Sequence, residues 1–181
     1  MIGFLATRLI GAMEKQLNSD MSYLRALHAA SPRGFDGFLK ATALARHREA
    51  VPITASHVAR LAAYAFEDCG PCTQIAVDQA RVAGMDDDVL RAVLEGNPAA
   101  LPDDASLAYR FACSILTRSA ALDEARQEVR ERWGDKGVVD LTLATQGSRL
   151  YPMLKLGLGF AQSCQKVKLG TQLVVPARLP A

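Results

Sequence analysis

The stretch Val58-Ala-Arg-Leu-Ala-Ala-Tyr-Ala-Phe66, followed after Glu67 and Asp68 by Cys69-Gly70-Pro71-Cys72, decides how the chain is read. From Val58 to Phe66 only Arg60 is charged, and no wet face recurs at helical spacing. A segment that is apolar nearly all round predicts a helix inside the core. Its alanines disfavour a strand. Cys69 to Cys72 then interrupts the helix, and Pro71 suits the first turn of the next one, where its missing N–H leaves nothing unpaired. That next helix is expected to reach about Ala83, with Gly84 as its C-cap.

Working outward, apolar residues recur at helical spacing along the rest of the chain, and alternating strand patterns are nearly absent. Upstream, Leu5, Leu9, Met13, Leu17, Met21 and Leu24 line one stripe, which predicts a helix over about residues 3–28 that ends at Ser31-Pro32-Arg33-Gly34. A helix from about Phe35 to His47 follows, then one over about 54–67 with Thr54 or Ser56 as its cap. Downstream, helices are expected from Asp86 or Asp87 to Gly96, from Asp103 or Asp104 to Ser119, from Asp123 to Trp133, from Asp135 to Ser148, and from Tyr151 to Gln165. The tail from Lys168, which carries Pro176 and Pro180, is expected to be irregular. The fold class is therefore all-α.

Composition narrows the function. The 181 residues are 50% hydrophobic but only 6% aromatic, so small and aliphatic side chains must fill the core. Lys plus Arg is 21 and Asp plus Glu is 19, without the basic excess of a nucleic-acid protein. No apolar run is long enough for a membrane span, and the N-terminus, interrupted by Arg8, does not read as a signal peptide. A cytoplasmic setting is the expectation. Four cysteines, Cys69, Cys72, Cys113 and Cys164, are too few for a disulfide scaffold. Cys113 and Cys164 read as interior residues.

The C-x-x-C pair carries the chemistry. A helix N-terminus stabilises a thiolate, which is the reactive form of cysteine. The two-residue spacer lets the second sulfur resolve a sulfenic acid or mixed disulfide formed on the first. Zinc would need four ligands, and no second C-x-x-C or H-x-x-x-H follows, so no metal is expected. Cys-Gly-Pro-Cys is also the thioredoxin tetrapeptide, but that fold needs a strand before the motif, where this chain has a helix former.

Val58 to Gly96 resembles the carboxymuconolactone decarboxylase family, in its alkylhydroperoxidase AhpD-like branch. The resemblance rests on the apolar helix, Cys69-Gly-Pro-Cys72, Gln74-Ile-Ala-Val-Asp-Gln-Ala80 and the turn Ala83-Gly84-Met85-Asp86-Asp-Asp-Val-Leu90. Tyr109-Arg-Phe-Ala and Val138-Val-Asp-Leu-Thr-Leu-Ala144 follow in the family's order. The resemblance divides the chain into an N-terminal helical extension (1–34), an AhpD-like helical domain (35–166) and a C-terminal tail (167–181). It implies a homo-oligomer and a thiol-dependent peroxidase or disulfide reductase that needs no cofactor beyond an external thiol reductant. The family motif adds a Glu twelve residues before the first cysteine and a His four after the second. Here those positions are His57 and Ala76. His57 is thus the candidate proton shuttle, its ordinary pKa of about 6.5 suiting the task. Helix-terminus physics favours Cys69 as the attacking thiol, and the resemblance favours Cys72. Glu67 reads as a solvated charge at a helix end. Two alternatives stand beside the thiol oxidoreductase: a lactone decarboxylase-like lyase and a non-catalytic helical oligomer.

Overall fold

The computed structural model describes residues 2–161 and 167–177. Its centre is α4 (Ile53–Phe66), on which Ala55, Val58, Ala59, Leu61, Ala62 and Ala63 are all essentially buried. Helices on three sides can approach because alanine keeps the surface of α4 thin. They are α5 (Gly70–Val82), α7 (Asp103–Thr117) and α8 (Leu122–Gly157), with α6 (Asp87–Leu94) packed beside them. The chain is all-α in architecture, with one small antiparallel hairpin, and among the described residues no helix is long and apolar enough to cross a membrane.

The N-terminal stripe does not form one helix. It breaks into α1 (Ile2–Leu17) and α2 (Ser22–Ala30). Asn18 takes a left-handed φ of 44°, and Glu14 turns back to accept the Met21 N–H at 3.2 Å while pairing with Arg25. The stripe therefore folds on itself, and Ile10, Met21, Tyr23, Leu24 and Phe35 make a second core that leans on Ile75, Tyr151 and Leu154. The next helix, α3 (Pro32–Thr42), starts earlier than Phe35 because Ser31 caps it, accepting the Gly34 N–H at 3.0 Å, with Pro32 at its first position. It ends before His47, in a 3-10 turn over Ala43–Arg46. Pro52, and neither Thr54 nor Ser56, precedes α4.

Of the three helices expected between Asp123 and Gln165, the first two meet at a break at Gly134 as expected, and the second and third run on without a boundary; the whole is labelled α8. A kink occurs at Gly134, whose φ of 70° with ψ of −173° needs glycine. No boundary falls between Ser148 and Pro152, although Pro152 withdraws a helical donor. Packing explains the continuity, since Gly147 seats directly against the Ala45 backbone and Ser148 and Pro152 are buried. The helix ends at Gly157, so the expected extension to Gln165 is not formed up to residue 161, and residues 162–166, including Cys164, lie outside the described residues.

The tail expected to be irregular from Lys168 forms a hairpin up to Val174, and only 175–177 of its described residues lack regular structure. β1 (Val167–Leu169) and β2 (Gln172–Val174) pair antiparallel, with Val167 opposite Val174. The Gln74 side chain on α5 acts as a strand edge for β1, accepting the Lys168 N–H at 2.7 Å and donating to the Lys168 carbonyl at 3.0 Å.

Asp140 fixes the entry to α4. Its buried carboxylate accepts the N–H groups of Glu49, Ala50 and Val51 at 2.7–3.1 Å. Burial pushes its pKa up, but these three donors and the nearby His47 outweigh that and leave it below the usual carboxylate range.

Candidate functional site

Asp68, at a left-handed φ of 50°, turns the chain out of α4 so that Cys69 stands at the N-cap of α5 and Cys72 within its first turn. Asp is among the few side chains that tolerate this conformation. The two sulfurs are 2.6 Å apart, and each cysteine is 4% exposed. Both thiols are free.

The shared hydrogen bond drives the two thiols apart in acidity, Cys69 down and Cys72 up. The hydrogen bond shared with the Cys72 thiol is the largest influence on Cys69, and with the Lys155 ammonium and the Cys72 backbone N–H it outweighs burial, bringing the Cys69 pKa down to about 7. Cys72 moves the other way, driven up by the same shared hydrogen bond, by burial and by the neighbouring sulfur charge. Cys69 is therefore the thiol shifted toward its thiolate form.

Lys155 was not singled out from the sequence. It lies late on α8, 5% exposed, with its Nζ 4.7 Å from the centre of the Tyr23 ring and in hydrogen-bonding reach of Cys72. In the sequence it is one lysine in the run Met153-Leu-Lys-Leu-Gly157, with nothing to mark it as buried. The i, i+4 spacing from Tyr151, which also lines the site, would have been a weak signal.

The two sulfurs open onto different chambers. Cys69 lines a cavity of about 300 Å³ with Asp20, Gln74, Asp78, Lys155 and Phe160. Cys72 lines a cavity of about 400 Å³, walled on one side by α1 and α2. Leu17, Tyr23, Ile75 and Lys155 line both chambers. The N-terminal helices thus roof the cysteine site.

His57 sits on α4, 7% exposed, and is not among the residues that line either cavity. Burial, with Arg60 and Arg48 nearby, lowers its pKa to about 4, so it is neutral at pH 7 and a weak base. Ala76, at the other relay position, is buried one turn beyond Cys72. One turn further along each helix the polar pairing resumes: Arg60 on α4 donates from Nη2 to Gln79 Oε1 on α5 at 2.7 Å, and both residues line the Cys72 cavity. Glu67 is not a solvated charge, since its side chain is only 10% exposed and pairs with Arg149. Cys113 is partly buried and its thiol is pushed up to about 11 by burial, the profile of an unreactive interior cysteine. Among the described residues no three His, Cys, Asp or Glu side chains gather as a metal site.

No family model, no curated protein and no solved structure matches the chain.

Proposed function

We propose that the chain is a thiol oxidoreductase that reduces a peroxide or a disulfide through Cys69 and Cys72, in the manner of the AhpD-like proteins its motif resembles. The observation that carries this reading is the pair itself: two free sulfurs 2.6 Å apart at a helix start, beside the buried Lys155. Cys69 is the nucleophile, because its thiolate is the one favoured near neutral pH. With a hydroperoxide, the Cys69 sulfur attacks the O–O bond, the alcohol or water leaves with a proton, and Cys69 becomes a sulfenic acid. Cys72 then gives up its proton and attacks the Cys69 sulfur. Water departs and a 69–72 disulfide closes. With a disulfide substrate the first product is a mixed disulfide, and Cys72 expels the substrate's second thiol. An external dithiol reductant supplies the two electrons that reopen the pair. Lys155 stabilises the thiolate, a task the family motif assigns to other residues. The chambers beside both sulfurs support this reading over a non-catalytic role, and the thiols in those chambers support it over a lyase site built on acids and bases alone.

The test is thiol-dependent consumption of an organic hydroperoxide. Mild oxidation of the wild type should consume two thiols and yield a 69–72 disulfide on peptide mapping. Cys69→Ser and Cys72→Ser should each abolish turnover. Retention of full activity by both variants sinks the proposal.

A further inference from the structure

We infer that the chamber beside Cys72 is a binding site for an amphipathic carboxylate, a hydrocarbon chain ending in an anionic head. Three cations, Arg46, Arg60 and Lys155, line this cavity, and among the described residues no Asp or Glu does. Among the described residues neither Arg46 nor Arg60 enters an ion pair that would neutralise it. Arg60 spends Nη2 on the neutral side chain of Gln79, which does not cancel its charge. A carboxylate is the planar anion that matches a guanidinium fork.

The rest of the wall is apolar. Met13, Leu17, Leu39 and Ile75 line it from three different helices and offer a hydrocarbon chain a surface to cover. The volume of about 400 Å³ lies in the range of small-molecule sites. The neighbouring chamber on the Cys69 side is the internal contrast. There Asp20 and Asp78 face Lys155, which disfavours an anion. The low pKa of His57, set first by burial and then by Arg60 and Arg48, reports the same positive field from behind the wall. The site requires no thiol chemistry, so it stands or falls apart from the redox proposal.

The probe is decanoate, titrated into the full chain by calorimetry beside decanol and decyltrimethylammonium. Decanoate should bind about tenfold or more tightly than decanol, the size of effect one charge-assisted hydrogen bond supplies, and the cation should not bind. Affinity should weaken with added salt. Arg60→Gln and Arg46→Gln should each lower decanoate affinity, Arg60→Lys should recover part of it, and Arg33→Gln, on the exposed start of α3, should change nothing. Equal affinity for decanoate and decanol, or no decanoate binding at millimolar concentration, overturns the inference. The comparison among probes uses only the wild type, so it decides the matter even if an arginine variant fails to fold.

Discussion

Lys155→Met removes the one ammonium that, among the described residues, lines both cysteine chambers and leaves a side chain of similar length in its place. The variant should fold, because Met packs in place of the lysine stem and Cys69 can take up a proton, which leaves no unpaired thiolate behind. Its effect should appear on Cys69. The Cys72 hydrogen bond is the leading cause of the depressed Cys69 pKa, and Lys155 is the first-ranked full charge acting in the same direction. Two unit charges 4 Å apart at an effective dielectric of 20 interact by about 4 kcal/mol, an upper figure for a group that stands closer to Cys72 than to Cys69. A third of that is about 1.4 kcal/mol, or one pKa unit. Cys69 would then titrate near 8 instead of about 7. At pH 7 the thiolate fraction falls from about one half to about one tenth, and alkylation should slow about fivefold. The assay is the rate of iodoacetamide labelling between pH 5 and 10, read by mass spectrometry at Cys69, with thiolate absorbance as a second readout. Lys155→Arg, which keeps the charge, should retain most of the wild-type profile. A Lys155→Met profile superimposable on the wild type, with circular dichroism unchanged, would refute the role given to this ammonium.

Two further outcomes follow from the packing and the titration of the core. His57 is held down at about pKa 4 against an ordinary value of 6.5, so the unfolded chain binds the extra proton between those limits. Its contribution to stability is complete above pH 6.5 and is lost as pH falls toward 4. Urea melts across this window should show the slope in wild type and a flatter one in His57→Gln, and an identical slope would free His57 from this assignment. Gly147→Ala would set a Cβ 2.4 Å from the Ala45 nitrogen and 2.8 Å from its Cα, both backbone atoms that cannot swing aside. Overpacking of this kind costs about 1–3 kcal/mol. At about 2–4 °C per kcal/mol the melting temperature should drop by several degrees, and an unchanged value would mean that the α8 approach to the 3-10 turn is looser than described.

The core was legible wherever a local rule and the tertiary packing agree. Val58 to Phe66 is a buried helix because its apolar residues leave no face for water, and Pro71 opens α5 because a helix start tolerates a missing donor. Gly84, at φ 84°, ends the α5 segment as expected. Sequence reasoning failed where long-range contacts override local signals. The break at Asn18 is held by Glu14 reaching Met21 and Arg25, which an unbroken apolar stripe conceals. Helix α8 continues through Pro152 because its neighbours hold it, against the propensity that would end it. The hairpin at Val167 depends on Gln74, 94 positions away from Lys168. The cysteine pair was readable from its spacing. Lys155 was not, because its burial is a property of the assembled helices and not of its own stretch of sequence.

The two chambers have a kinetic consequence. If the chain is the thiol oxidoreductase proposed above, an oxidant entering at Cys69 and a reductant entering at Cys72 would approach the sulfur pair through separate cavities that share Tyr23 and Lys155 in their walls. In a single-pocket exchange enzyme each substrate blocks the other when it is in excess. A partitioned site relieves that conflict. Initial-rate plots should keep the parallel lines of a ping-pong cycle while lacking the upward curvature of mutual substrate inhibition. The roof made by α1 and α2 would then act as a separator of traffic, giving the oxidising and reducing half-reactions their own entrances.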